Sequence, residues 1–331
     1  MSIAVRDGSV PDVSLPIARR WISLFGNNAI LLPATIAILS AIIFSLTVPH
    51  FADLRNVLNI FEQLGVLGFL AIGMTFVMIA GGIDLSCYTV VSAAAVVGAT
   101  AMVDTESALV GCSLMLMVGL GCGAANGIAI AYGRMIPFIV TLSTMVLAQG
   151  FAIWYTQAQS VYGLPDDYID LISGRIVGVI PMPALLILVV ALVTGLTLAK
   201  TQYGRWIYLT GANEQTARVS GIDIRRTKFS TYVLSGLMAG VTAIVLTAIV
   251  GASTTSMVRD ERLMDVIAAT VIGGASLRGG SGSVVGTIFG LLFITILGNV
   301  FNLLGVSPFI AMVIKGLVLV TVIGLDVLRS R

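Results

Sequence analysis

QLGVLGFLAIGMTFVMIAGGIDLSCYTVVSAAAVVGATAMV, residues 63–103, carries a single charged side chain, Asp84, with 21 charge-free residues before it and 19 after. Each flank comes close to the roughly 20 apolar residues that a helix needs to cross a bilayer. Gly81-Gly82 just before the carboxylate ends the first helix and leaves Asp84 at a break within or near the membrane. Ionisable groups at such depth are costly, so they cap a backbone end or face a cavity. Two readings of Asp84 and Ser86 stand: they cap the start of the next helix, or they contact a solute or gate beside it.

The rest of the chain repeats this pattern. Of 331 residues, 57% are hydrophobic and 10% charged, and the mean hydropathy is +1.04. A soluble domain has about a quarter charged residues, so the composition is that of a polytopic membrane protein. Bounded by charges, Gly and Pro, ten spans are expected, near 29–49, 57–80, 85–103, 107–131, 138–157, 181–199, 229–250, 262–276, 283–303 and 309–326. The expected fold class is therefore all-α, a transmembrane helical bundle. Its parts are a cytoplasmic lead (1–28), the membrane domain (29–328) and a short tail (329–331).

Orientation follows from the basic residues, which gather in short cytoplasmic loops. With ten spans and the N-terminus inside, thirteen Lys and Arg fall on the cytoplasmic side, four (Arg55, Arg175, Arg259 and Arg262) fall outside, and Lys315 lies in the last span. Both termini are then expected in the cytoplasm. The polar, mixed N-terminal twenty residues do not read as a secretory signal. Cys87, Cys112 and Cys122 lie in apolar stretches without metal-ligand spacing, so neither a disulfide nor a metal site is expected.

The one long polar interruption is residues 200–228, with six basic and two acidic residues. Within it, Gly211 and Gly221 bracket a short segment of helical propensity. Asn213 is placed to cap that segment, and Glu214 sits near the positive end of its dipole. This predicts a short helix lying across the membrane surface.

Polar residues in the apolar runs are the candidates for contact with a solute. Asn126 follows Gly119, Gly121 and Gly123 on a face suited to close helix contact, where it reads as interhelical glue. The fifth span carries Thr141, Ser143, Thr144, Gln149, Trp154 and Tyr155. Hydroxyls and rings together suit a sugar-sized solute, or else back-bond to the helix and form an interface belt. Asn299 and Asn302 in the ninth span either bind a hydroxylated solute or hold helices together. The outer loops offer Asp166 and Asp167, and then Arg259 and Arg262, as charged docking points for a partner. Gly273 to Ser283 is glycine-rich, but it lacks the Lys-Ser or Lys-Thr ending of a phosphate-binding loop and reads as a cytoplasmic turn.

Six stretches in order resemble the ribose-type sugar permeases of ATP-binding-cassette importers, within the branched-chain amino acid and sugar permease superfamily. They are Gly81 to Ser86, Val161 to Pro165, Gly211 to Ile222, Asp265 to Gly274, Gly279 to Ser283 and Asn302 to Ser307. The chain departs from the usual pattern at Cys87-Tyr88 and at Arg262-Leu263-Met264. The resemblance implies a permease of about ten helices in the bacterial inner membrane, paired with a second permease subunit, alike or different. It implies two cytoplasmic ATPases that hold the ATP and Mg, an external solute-binding protein, and no cofactor or nucleic acid on this chain. It also implies that residues 211–222 form the coupling helix, with Gly211, Asn213, Glu214, Ala217, Arg218 and Gly221 engaging the ATPase. Asp84, Ser86, Asn126, Gln149, Trp154, Asn299 and Asn302 are then the expected pathway residues, and the chain itself is not an enzyme. A branched-chain amino acid permease is the nearest alternative. A proton-coupled carrier is disfavoured by the scarcity of intramembrane acids and histidines.

Overall fold

Helix α2 (Leu54–Ile79) is the axis of the bundle, with 83% of its most apolar stretch buried inside the protein. Small residues let its neighbours close on it: Gly65 meets Pro183, Gly68 meets Ile187, and Gly73 meets the backbone of Ser235. The computed structural model describes residues 30–176, 178–254 and 260–329. The N-terminal lead, the final Arg331 and the proposed docking residue Arg259 lie outside the described residues.

Around α2 the chain runs through α1 (Leu31–Thr47), α3 (Cys87–Thr105), α4 (Ala108–Gly127) and α5 (Pro137–Thr156). A short helix, α6 (Asp166–Ser173), and a hairpin pairing Arg175–Ile176 with Ile180–Pro181 lead into α7 (Met182–Lys200). The polar loop holds α8 (Gln202–Ala212) and α9 (Glu214–Val219). Helices α10 (Ile224–Val250), α11 (Asp260–Ile272), α12 (Val284–Leu303) and α13 (Pro308–Arg329) complete the fold. The all-α, polytopic reading holds.

Among the described residues, seven helices are long and apolar enough to cross a membrane: α2, α3, α4 with its π-helical extension Ile128–Tyr132, α5, α7, α10 and α12. Leu31–Thr47 and Pro308–Val318 are shorter apolar helical segments. The expected eighth span, 262–276, is a helix of 13 residues, about 20 Å long against a hydrocarbon core of about 30 Å. It ends at Gly273-Gly274, where Gly274 takes φ +91°. Among the described residues, length and composition thus show seven candidate crossings and two shorter apolar helices against the ten expected.

Helices α4 and α10 cross backbone to backbone. A methyl group on Gly119 would lie 2.3 Å from the Gly236 carbonyl, and one on Gly123 would lie 2.5 Å from the Tyr232 carbonyl. Gly121, expected on this face, has no neighbour within 4 Å of such a group and points elsewhere. At the other end of α10, Tyr168 of α6 donates its hydroxyl to the Ile244 carbonyl at 2.5 Å, pinning the segment between α5 and α7 to the bundle.

Candidate functional site at the helix break

Helix α2 ends in a Schellman turn. The N–H of Gly82 donates to the Val77 carbonyl and that of Gly81 to the Met78 carbonyl, each at 2.9 Å, with Gly81 at φ +82°. The turn sets Asp84 inside the protein at 2% exposure. Its Oδ1 accepts from the Ser86 N–H at 3.0 Å and from the Ser86 hydroxyl at 2.6 Å. Oδ2 accepts from the Ser235 hydroxyl of α10 at 2.7 Å. Ser86 precedes α3 but makes no side-chain cap to that helix; its hydroxyl serves Asp84 instead.

The network extends outward from there. Asn126 of α4 donates to the Ser86 hydroxyl at 2.9 Å and accepts from Thr144 of α5 at 2.5 Å. The Tyr232 hydroxyl of α10 and the Thr141 hydroxyl of α5 both reach the Ile83 carbonyl, at 3.3 and 3.4 Å. The break between α2 and α3 is thereby tied to α4, α5 and α10. Every group of this buried carboxylate cluster has a polar partner, as low-dielectric surroundings require.

A second junction lies at the end of α8. Two glycine turns meet the last turn of α8 there: Gly81 after α2 and Gly279-Gly280 between α11 and α12 pack against Gly211. A methyl group on Gly211 would lie 1.7 Å from the Ile79 carbonyl and 2.7 Å from the Gly280 nitrogen. One on Gly279 would lie 2.9 Å from Gly81 Cα. The Tyr208 hydroxyl adds a bond to the Gly282 carbonyl at 2.7 Å. No side chain larger than hydrogen fits at Gly211, which explains its place in the sequence.

Helix α9 starts from this junction. The Asn213 side chain accepts from the N–H groups of Gln215 and Thr216 at 2.9 and 3.0 Å, satisfying two donors of the first turn. Glu214 pairs with Lys228 at the start of α10. Ala217 is fully buried and holds the helix down, whereas Val219 is 84% exposed. Gly221 reverses the chain at φ +78°, and Asp223 caps α10 through the Arg226 N–H at 3.1 Å.

The remaining predicted residues are scattered. Asn299 forms a reciprocal amide pair with Asn56 of α2, at 2.8 and 3.0 Å. Gln149 and Trp154 lie on the exposed flank of α5, away from the Asp84 cluster, with Trp154 68% exposed. Asn302 and Arg262 line a polar cavity between α2, α11, α12 and α13. Asp166 and Asp167 are exposed on α6. Sequence reasoning missed Ser235 as a partner of Asp84 and Asn56 as a partner of Asn299; both pairs join helices far apart in the chain. No group of three or more His, Cys, Asp or Glu side chains stands ready to hold a metal among the described residues.

Residues 56–323 match the family described as the branched-chain amino acid transport system permease component. The chain is 37% identical over 291 residues to the ribose import permease protein of Bacillus subtilis, covering 87% of this chain and 90% of that one. It is 36% identical over 293 residues to the ribose import permease protein of Escherichia coli K12, with coverage of 87% and 90%. The D-allose transport system permease protein of the same strain is 31% identical over 303 residues, covering 89% and 90%. No solved structure matches the chain.

Proposed function

The chain belongs to the branched-chain amino acid transport system permease family, and on that premise we propose that it is the membrane-spanning subunit of an ATP-driven importer for a monosaccharide or related polyol. Relatives named for ribose and D-allose support that solute class over a branched-chain amino acid. The subunit resides in the bacterial inner membrane with both termini in the cytoplasm. It works with cytoplasmic ATPases, an external solute-binding protein and a second permease subunit.

One observation carries the mechanism. Helix α9 grows directly out of the junction where Gly211 touches the end of α2 and the α11–α12 turn. Helix α9 is the coupling helix, entering a groove on the ATPase with Arg218 and its exposed Val219. Closure of the ATPase pair on ATP draws two such helices together. The displacement passes through Gly211 to residues 79–81, a few residues from Asp84, and biases the bundle between outward and inward states. The Asp84 cluster holds the break between α2 and α3 rigid while that happens. On the outer face, Asp166 and Asp167 meet the solute-binding protein. ATP and Mg belong to the partner ATPase.

The test is reconstitution of the complete importer in liposomes with Glu214→Ala and Gly221→Val variants. Both are expected to lose solute-stimulated ATP hydrolysis and uptake together. Unchanged coupling in both variants would remove the role assigned to α9.

A further inference from the structure

Thr295 of α12 is 4% exposed, and its hydroxyl has no hydrogen-bond partner. Threonines in these helices ordinarily donate to the carbonyl four residues back, as Thr75, Thr242, Thr270 and Thr287 do, the last on the same helix. Thr210 and Ser253 are the other unpartnered buried hydroxyls among the described residues, and neither lines the cavity that Thr295 lines. A buried polar atom without a partner is unfavourable, and such an atom in a native fold calls for an explanation.

That cavity holds about 180 Å³. Besides Thr295 its polar lining is Gln63 of α2, Arg262 and Asp265 of α11, Asn302 of α12 and Lys315 of α13. Lys315 Nζ lies 2.8 Å from Asp265 Oδ2, so the two helices are joined by an ion pair facing the space. Gln63 and Arg262 also line a second cavity of about 310 Å³, beside Asn59 and Glu62, and so stand as a partition between the two. The four charged groups, Glu62, Arg262, Asp265 and Lys315, sum to zero, while amides and a hydroxyl supply both donors and acceptors. Charged groups that line a cavity inside an apolar bundle mark pathways, and here they balance.

The geometry points to this pair of cavities as a station for an uncharged, hydroxyl-rich solute. Thr295 and Asn302 bond its hydroxyls, and Gln63 with Arg262 forms the gate between the chambers. A hydroxyl both donates and accepts, which is what this mixed lining offers. A lone cation or anion would meet equal and opposite charge. The assignment rests on the importer reading above and adds the place where solute is held within this chain.

The test uses the complete importer in proteoliposomes, with D-ribose and a panel of pentoses, hexoses and polyols supplied with saturating binding protein. Thr295→Val and Asn302→Ala are expected to slow uptake by roughly three- to tenfold, the effect of one hydrogen bond lost along the path. Thr295→Ser, which keeps the hydroxyl, is expected to transport like the unaltered protein. Thr194→Val removes a self-bonded hydroxyl on α7 and serves as the control. Because Thr295→Val removes an unpaired polar atom, it is also expected to melt at or above the unaltered temperature, the opposite of what a bracing role requires. Uptake by Thr295→Val and Asn302→Ala equal to that of the control would overturn the site and leave the importer reading intact. Absence of uptake of every sugar by the unaltered importer would overturn that reading, and this assignment with it.

Discussion

The N–H of Gly280 donates to the carbonyl of Ile79 at 2.8 Å, joining the α11–α12 turn to the end of the central helix beside Gly211. Two segments 201 residues apart in sequence thereby meet where α9 begins. Motion at α9 has a direct backbone route into the bundle.

Gly211→Ala puts a methyl group into the Ile79 carbonyl, so the backbones must separate. A loss of roughly 1–3 kcal/mol is expected from such overpacking. Thermal melting of the purified protein measures it, and Gly121→Ala, with open space around it, should melt no lower than the unaltered chain.

Replacing Asp84 by Ala leaves the Ser86 N–H, the Ser86 hydroxyl and the Ser235 hydroxyl without their acceptor. Each stranded donor costs roughly 1–3 kcal/mol, less where the hydroxyl can turn to another acceptor. Asp84→Asn keeps one acceptor oxygen and should be milder, and Ser235→Ala, which removes only one donor, milder still. Denaturant midpoints of the three variants should follow that order.

Asn213→Ala removes the acceptor for two N–H groups of a helix only six residues long. A loss of about 1 kcal/mol is typical for a cap, enough to fray so short a helix. Hydrogen exchange at Gln215 and Thr216 should quicken, and Asn213→Asp should restore protection.

The pair between Asp265 and Lys315 is partly buried, with side chains 11% and 22% exposed. Removing either partner alone is expected to cost roughly 1–3 kcal/mol, below the value for a fully buried pair because solvent screens part of it. The double variant Asp265→Asn with Lys315→Gln should be less destabilised than the sum of the singles. A double-mutant cycle measured by melting reads that coupling.

Much of this was legible in the sequence because charge is rare in it. A lone carboxylate after Gly81-Gly82 had to lie at a helix break, and Asn213 before a short polar segment was placed as its cap. Glycine at 119 and 123 signalled a close crossing. Which faces meet was not legible: a membrane helix is apolar all round, so periodicity does not separate its core side from its lipid side. That is why the sequence groups Gly121 with its neighbours although it meets open space, and why it does not show that Gln149 and Trp154 lie on the exposed flank of α5. The meeting of Gly81, Gly211 and Gly280 depends on contacts between distant segments, which no local pattern encodes. The expected span 262–276 runs through Gly273-Gly274, whereas the helix stops at Ile272.

The most direct measurement of the central claim is ATP hydrolysis by the complete importer in liposomes, across pentoses, hexoses, polyols and amino acids. The account predicts stimulation by a sugar or polyol, coupled to its uptake and lost in Glu214→Ala and Gly221→Val. Uptake driven by a proton gradient without an ATPase, or stimulation by amino acids alone, would contradict it.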